Sequence, residues 1–215
     1  MIVTIDGPAG AGKSSAARGL ARRLGFRFLD TGAMYRAVTL AARERGLDLA
    51  DPEQLNSLVL SIRVELAGDR VMLEDRDVTE AIRKFEIATS THYAADNPVV
   101  RAQLVIWQRE AAADANVVTE GRDQGTVVFP HAECKIFLTA DEQERARRRH
   151  LDLATRGEDI PFDEVLTNQQ LRDLRDASRS VGALVKAEDA IEVSTDGLTP
   201  DEVVAELERI VRSRL

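Results

Sequence analysis

The sequence is short of cysteine and of long apolar runs. Its single cysteine, Cys134, excludes an internal disulfide and any cysteine-based metal cluster. We expect Cys134 to fill the core of a protein that works in the reducing cytoplasm. Because no apolar run approaches the length of a bilayer span, and no basic-then-apolar leader pattern is found, we expect no membrane association.

Lysine is also scarce, and the net charge is negative. The formal net charge of −8 argues against a protein that binds nucleic acid polymers, because such proteins present excess positive charge to phosphates. Among the 29 basic residues, four are lysines, namely Lys13, Lys84, Lys135 and Lys186. Composition leaves two explanations open for this arginine bias. One is a coding bias of the genome, and the other is a need for planar guanidinium groups that bind phosphate.

The stretch from Ile2 to Ser15 predicts a phosphate-binding loop. Gly7, Gly12, Lys13 and Ser14 match the pattern G-x-x-x-x-G-K-[ST] between a β-branched strand and the start of a helix. The backbone N–H groups of such a loop bind phosphate oxygens, the lysine reaches the β- and γ-phosphates, and the serine hydroxyl binds Mg²⁺. A glycine turn without a ligand is the alternative, which this structural context disfavours. We therefore predict that a nucleoside triphosphate is bound by Gly7, Pro8, Ala9, Gly10, Ala11, Gly12, Lys13, Ser14 and Ser15.

Alternating strand and helix patterns predict an α/β fold. A strand–helix–strand unit that contains a phosphate loop implies a central parallel sheet with helices on both faces, which is a three-layer α/β/α arrangement. Residues 62–66 and 71–74 alternate in polarity on either side of a predicted turn at 67–70, which indicates an antiparallel hairpin. We also expect residues 126–130 to continue the buried core after a strand at 116–119.

Charged residues follow the predicted strands at the edge of the sheet where ligands bind. Arg36 lies on the first turns of a helix that opens at Asp30, and Glu120-Gly121-Arg122-Asp123 follows the strand at 116–119. Solvated surface charge is the alternative interpretation for Arg36. Three charges around one glycine at the end of a buried strand favour a binding site.

Two predicted helices are rich in arginine. Residues 162–179 place Arg172, Arg175, Asp176 and Arg179 on one face, which favours binding of an anion that offsets their repulsion. A preceding helix contains Arg145, Arg147, Arg148 and Arg149, which favours a basic lid over a triphosphate rather than a solvated helix. We therefore divide the chain into a core at 1–45 and 99–215, an insertion at 46–98, and a lid at 145–165 within the core.

Motifs along nearly the whole chain resemble those of bacterial cytidylate kinases, which belong to the nucleoside monophosphate kinases among the P-loop kinases. The five stretches are IDGPAGAGKS at 5–14, DTGAMYR at 30–36, DVTEAIR at 77–83, GRDQGTVVFP at 121–130 and RDLRDASR at 172–179. The first is generic, but the five in this order, with a hairpin insertion between residues 60 and 98, are specific. The sequence has neither the Asn-Lys-x-Asp motif that recognises guanine nor the Leu-Ser-Gly-Gly-Gln signature of transporter ATPases.

The resemblance implies an ATP-dependent kinase of pyrimidine nucleotide metabolism that converts CMP or dCMP to CDP or dCDP, with Mg²⁺ bound as Mg-ATP. It implies that 46–98 is the nucleoside monophosphate-binding insertion and that 145–165 is a helical lid. Residues with implied catalytic roles are Lys13, Arg36, Arg122 and Arg179, while Arg148 adds to the ATP site, and Ser14 and Glu120 bind the metal. The implied CMP site comprises Thr31, Arg36, His92, Arg101, Arg122, Asp123, Arg172, Asp176 and Arg179.

Within that implied CMP site, different groups bind different parts of the nucleotide. Arg36, Arg122 and Arg179 hold the phosphate, and Arg172 with Asp176 holds the ribose. Arg101 and Asp123 recognise the cytosine edge. A carboxylate accepts a hydrogen bond from the exocyclic amino group of cytosine, whereas uracil has no donor there.

The chain departs from the family pattern at three places. Glu120 stands where an aspartate is common, His92 beside Thr91 stands where a serine helps to recognise the base, and Gly182-Ala183-Leu184 replaces a proline-leucine turn. The first keeps a carboxylate near Mg²⁺. The second leaves open whether His92, Thr91 or neither contacts the base, and we take the third as structural drift.

Three alternative functions remain in view at this point. A kinase of shikimate or gluconate type explains the phosphate loop but neither the hairpin nor Arg101 with Asp123. A UMP/CMP-type or adenylate kinase needs a different group to select the base. A non-catalytic nucleotide-binding module would tolerate loss of Arg36 and the other acceptor arginines, which are all present. We expect a monomer whose partners are ATP and CMP or dCMP.

Overall fold

The computed structural model describes residues 1–155 and 157–214. Arg156, inside the predicted lid, and Leu215, at the end of the predicted core, lie outside the described residues. The strands are β1 (Ile2–Asp6), β2 (Arg27–Asp30), β3 (Val64–Ala67), β4 (Arg70–Leu73), β5 (Arg76–Asp77), β6 (Val117–Gly121), β7 (Cys134–Thr139) and β8 (Ile191–Ser194). The helices are α1 (Lys13–Leu24), α2 (Thr31–Glu44), α3 (Pro52–Ser61), α4 (Phe85–Asp96), α5 (Pro98–Ala112), α6 (Glu142–Thr155), α7 (Phe162–Ser178) and α8 (Pro200–Arg212).

The larger sheet has five strands in the order β2-β6-β1-β7-β8. The pairs β1–β7 and β7–β8 are parallel, with Val3 opposite Cys134 and Ile136 opposite Ile191. Strand β1 is central, and its Val3 and Ile5 side chains are buried, as expected for a strand covered on both faces. The predicted α/β fold with a central parallel sheet is confirmed, and the loop after β1 leaves the sheet at its carboxyl edge.

The smaller sheet is antiparallel, with the order β3-β4-β5. The predicted hairpin is present, but its turn is shorter than expected. Ala67 pairs with Arg70, so the turn consists of Gly68 and Asp69 rather than residues 67–70. Gly68 has a φ of 64°, a left-handed conformation that glycine adopts without steric cost. The third strand, β5, has only two residues and was missed.

Short helical turns also occur. Residues 124–128 form a π-helical turn after β6, with the N–H of Val128 donating to the carbonyl of Asp123 at 3.1 Å. Val128 and Phe129 are buried, in agreement with the expectation that this stretch continues the core. Residues Ala81–Arg83 form a 3₁₀ turn, which is followed by the twelve-residue α4.

The chain divides into two compact units. The first comprises Met1–Phe26 and the chain from Val118 onward, and contains the phosphate loop. The second comprises Arg27–Val117 and has its own apolar core of residues such as Met34, Leu55 and Leu104. The predicted insertion, 46–98, falls within the second unit. Among the described residues, no helix is both long enough and apolar enough to span a membrane.

Candidate active site

The loop between β1 and α1 has the backbone of a phosphate-binding loop. A Cβ atom at Gly7 would lie 2.0 Å from the carbonyl oxygen of Leu138, so only glycine fits there. Gly12 precedes α1 with a φ of 84° and has no side chain that would cap the first turn of the helix. Because the first N–H groups of a helix have no partner within it, this turn is suited to bind an anion.

Lys13, the first residue of α1, is buried inside the loop. Its ammonium group donates a hydrogen bond to the carbonyl oxygen of Pro8 at 2.6 Å. Burial, together with the positive charge of Arg122, lowers the pKa of Lys13 to about 7. A bound triphosphate would favour the charged form, because its oxygens carry several negative charges close to the ammonium group.

Ser14 and Glu120 form a pair that fits a magnesium ion. The Ser14 hydroxyl donates to Oε1 of Glu120 at 2.8 Å, which joins the start of α1 to the end of β6. A hydroxyl and a carboxylate are hard oxygen ligands, and Mg²⁺ is typically held by one or two such groups together with substrate phosphates. Glu120, although longer than the aspartate common in the family pattern, reaches Ser14.

A buried carboxylate brings two of the predicted phosphate-binding arginines together. Asp176 on α7 accepts from Nε of Arg122 at 2.6 Å and pairs with Nη2 of Arg179 at 2.6 Å. Burial alone would raise the pKa of Asp176, but the two guanidinium groups hold it below its usual range. Each guanidinium has five N–H donors, and a single carboxylate does not use all of them. The pairing with Asp176 is therefore compatible with binding of a phosphate.

Arg172 and Asp123 are placed in the same unit as this cluster. Arg172 is an exposed residue of α7. Asp123 is buried at the carboxyl end of β6, immediately before the π-helical turn. The first unit therefore contains Lys13, Ser14, Glu120, Arg122, Asp123, Arg172, Asp176 and Arg179.

Two of the predicted lid arginines, Arg145 and Arg148, contact parts of the first unit outside α6. Arg145 on α6 donates to the carbonyl of Ala9 in the phosphate loop at 3.0 Å and to Asp173 on α7 at 2.5 Å. Arg148 donates to the hydroxyl and the carbonyl of Thr195, at 2.8 and 3.0 Å. Arg145 therefore links α6 directly to the loop, a contact that the sequence did not indicate.

Four predicted CMP-binding residues lie in the second unit. Asp30 caps α2 by accepting from the N–H of Ala33 at 2.9 Å, and it also accepts from Arg36 at 3.3 Å. Nε of Arg36 is buried and has no hydrogen-bond partner among the described residues. Arg101 donates to a backbone carbonyl at 3.0 Å, and its guanidinium carbon lies 5.6 Å from the centre of the Tyr35 ring. The second unit thus contains Thr31, Arg36, His92 and Arg101.

The structure places both candidates for base recognition on α4. His92 has Nδ1 within 2.9 Å of the carbonyl of Thr89, and its ring centre lies 4.1 Å from that of Tyr93, with the two rings tilted by 34°. The Thr91 hydroxyl donates to the carbonyl of Ile87 at 2.7 Å. Both side chains therefore bond to their own helix, and a ligand would compete with those bonds.

Asp6, at the end of β1, makes buried contacts that sequence reasoning missed. Its carboxylate accepts from the N–H groups of Gln124 and Gly125 at 2.9 and 2.7 Å. Burial raises the pKa of Asp6 to about 6, although these two hydrogen bonds oppose the shift. The available signal was an acidic residue at the end of a buried strand, directly before the first glycine of the loop.

Comparison with known sequences identifies the family. The profile described as Cytidylate kinase matches residues 3–213. The chain belongs to the cytidylate kinase family. The cytidylate kinase of Rhodopirellula baltica is 50% identical over 212 residues, which cover 99% of this chain and 93% of that protein. The cytidylate kinase of Carboxydothermus hydrogenoformans is 46% identical over 215 residues, covering 98% and 97%.

Solved structures confirm the fold of this member of the cytidylate kinase family. A shikimate kinase from Bacteroides thetaiotaomicron has a TM-score of 0.52 at 14% sequence identity, covering 99% of this chain and 98% of that one. At such low identity the likeness extends to the fold alone. The resemblance predicted from the five motifs is confirmed by the family match, so the cytidylate kinase assignment rests on the sequence relatives.

Proposed function

We infer that this chain transfers the γ-phosphoryl group of ATP to CMP or dCMP, giving ADP and CDP or dCDP. Family membership over nearly the whole chain supports the reaction. The observation that supports it within the structure is the pairing of Arg122 and Arg179 through Asp176, in the same unit as Lys13 of the phosphate loop. Phosphoryl transfer depends on the positioning of two anions, and Lys13, Arg122 and Arg179 are cationic side chains that can bind them.

On the donor side, the proposal assigns the triphosphate to the loop of residues 7–15 and to Arg148. Backbone N–H groups hold the phosphates, and Lys13 neutralises the charge on the β- and γ-phosphates. Ser14 and Glu120 would hold Mg²⁺, which would offset part of the negative charge of the triphosphate. The hydrogen bond between these two side chains at 2.8 Å supports this assignment, because it brings a hydroxyl oxygen and a carboxylate oxygen together at the start of α1.

On the acceptor side, the proposal assigns the phosphate of CMP to Arg36, Arg122 and Arg179. The attacking atom is a phosphate oxygen, which is largely deprotonated at neutral pH because the second pKa of such a group is about 6. The reaction therefore needs no general base. It needs cations that offset the repulsion between two anions and that hold them in line for attack.

The proposal assigns base recognition to Asp123 and Arg101, and ribose binding to Arg172 with Asp176. Asp123 is buried, so its hydrogen bond to the amino group of cytosine would form away from competing water. A base without that amino group, such as uracil, would leave the buried carboxylate without a donor, at a cost of about 1–3 kcal/mol in binding free energy. Thr31 and His92 complete the proposed acceptor site.

Domain roles and cellular setting belong to the same proposal. Residues 46–98 would bind the nucleoside monophosphate, and residues 145–165 would act as a lid that excludes water from the reaction. We further propose that the enzyme is a cytoplasmic monomer. The buried thiol of Cys134, whose pKa is raised by burial, suits a reducing compartment. Light scattering of the purified protein tests the oligomeric state, and a molar mass near the 23.7 kDa of one chain is expected.

The decisive experiment is an assay of ADP release from Mg-ATP with CMP, dCMP, UMP, AMP and GMP as acceptors. The proposal predicts strong turnover of CMP and dCMP and weak turnover of the other three. Equal turnover of UMP and CMP would indicate a broader pyrimidine kinase. Tight ATP binding without turnover of any of the five would overturn the proposed reaction.

A further inference from the structure

Asp6 connects the phosphate loop to the segment that follows β6. It is the last residue of β1, directly before Gly7, and only 5% of it is exposed. Its two carboxylate oxygens accept from the N–H groups of Gln124 and Gly125, the first two residues of the π-helical turn. The first N–H groups of a helical turn have no partner within it, so Asp6 supplies partners from the neighbouring strand.

The turn is confined on its other sides as well. A Cβ atom at Gly125 would lie 3.0 Å from the hydroxyl oxygen of Thr4 and 3.2 Å from the side chain of Lys135, so the turn packs closely against the sheet. The Thr119 hydroxyl donates to the side-chain carbonyl of Gln124 at 2.8 Å. The hydrogen bonds of Asp6 and Thr119, together with the close packing of Gly125 against the sheet, therefore hold the backbone at Gln124–Gly125.

We propose that Asp6 is a positioning residue for acceptor recognition, because it fixes the backbone that directly follows Arg122 and Asp123. The proposal rests on the proposed function, in which those two side chains hold the phosphate and the base of CMP. A carboxylate suits this role because it offers an acceptor oxygen to each of two N–H groups. An asparagine at this position would turn a donor towards one of those N–H groups.

The first test compares Asp6→Asn with Thr4→Val. Asp6→Asn is nearly isosteric but retains one acceptor oxygen. We expect it to raise KM for CMP by about tenfold and to reduce the preference for CMP over UMP, while KM for ATP changes by less than about twofold. Thr4→Val is the matched control, since Thr4 lies on the same buried strand beside Gly125, and its hydroxyl has no hydrogen-bond partner among the described residues. Its kinetics should match those of the wild type.

The kinetic pattern separates positioning from other roles. A lower melting temperature with unchanged CMP kinetics would show that Asp6 is only structural, and a loss confined to ATP would show that it serves the phosphate loop alone. Either result would overturn the proposal. Turnover of CMP by the wild type is measured in the same series. Absence of that turnover would overturn the proposed function itself and is thereby distinguished from failure of the role proposed for Asp6.

A second measurement on the wild type covers the case in which Asp6→Asn does not fold. Amide hydrogen exchange of the ligand-free protein should show strong protection at Gln124 and Gly125, because both N–H groups bond to a buried carboxylate. Rapid exchange at these two amides would mean that Asp6 does not hold the turn. The proposal would then be wrong, whatever the fate of the variant.

Discussion

Replacement of Lys13 by methionine should abolish activity and yet stabilise the ligand-free protein. The buried ammonium group has a pKa lowered from 10.5 to about 7, which corresponds to on the order of 5 kcal/mol at 1.36 kcal/mol per unit. Loss of the hydrogen bond to Pro8 offsets about 1 kcal/mol of this gain. We expect Lys13→Met to raise the free energy of unfolding near pH 6.5 by about 2–4 kcal/mol, and to lower kcat by about 100-fold or more.

The stabilisation should depend on pH in a defined direction. Between about pH 7 and 10.5 the unfolded chain keeps the Lys13 proton while the native state releases it, so the wild type gains stability as pH rises. The difference between variant and wild type is therefore largest below pH 7 and closes towards pH 10.5. Urea denaturation at three pH values across this window measures it.

Lys135 provides a matched control for this experiment. Its ammonium group is also buried and donates to a proline carbonyl, that of Pro130, at 2.6 Å, but it pairs with Asp189 at 2.9 Å as well. Lys135→Met breaks that ion pair and should not stabilise the protein. The reasoning is refuted if Lys13→Met is less stable than the wild type near pH 6.5, or if the difference in their free energies of unfolding does not change with pH. It is also refuted if Lys13→Met and Lys135→Met are stabilised equally.

Three further substitutions test the proposed site. Asp123→Ala should lower the preference for CMP over UMP in kcat/KM by about tenfold or more, because a methyl group accepts no hydrogen bond from cytosine; steady-state kinetics with both acceptors measures this. Asp176→Asn should lower the free energy of unfolding at pH 7 by about 3 kcal/mol, because Arg122 and Arg179 lose their shared carboxylate. Since the pKa of Asp176 is lowered, this stabilisation is complete above about pH 4 and lost as pH falls through the native value, which urea denaturation at neutral and acid pH detects. Glu120→Gln should raise the Mg²⁺ concentration for half-maximal activity by about tenfold, because an amide is a weaker ligand; a magnesium titration at fixed ATP checks it.

Each of these expectations has a contradicting outcome. Equal losses with CMP and UMP would show that Asp123 supports the fold rather than base selection. A stability gap for Asp176→Asn that persists at acid pH would mean that its charge is not what stabilises the native state. An unchanged magnesium requirement would remove Glu120 from the metal site.

The sequence specified the parts of the site that lie on one continuous segment. The phosphate loop depends on glycine positions and on the lysine and serine that follow them, all within nine residues, so local pattern sufficed. Glu120 and Asp123 could be placed at the carboxyl edge of the sheet because they follow a buried strand directly. The caps of α3, α5 and α8 were also readable, since each has a proline in its first turn.

The remainder depends on contacts between distant residues. Asp6 forms hydrogen bonds with Gln124 and Gly125, which follow it in the sequence by 118 and 119 positions. No local sequence pattern contains that pairing. The π-helical turn has the β-branched composition of a strand, and tertiary contacts override that propensity. Helix α4 has no clear helical period of apolar residues, because only Ile87 and Ala94 are buried along its length.

The most direct test of the central claim is to follow the products of the wild-type enzyme with Mg-ATP and CMP by ³¹P nuclear magnetic resonance. The account predicts that ADP and CDP appear in equal amounts, that inorganic phosphate stays at the level of a sample without enzyme, and that the reaction stops when CMP is omitted. Formation of ADP and inorganic phosphate without CDP would show a nucleoside triphosphatase rather than a kinase of CMP, and would contradict the account.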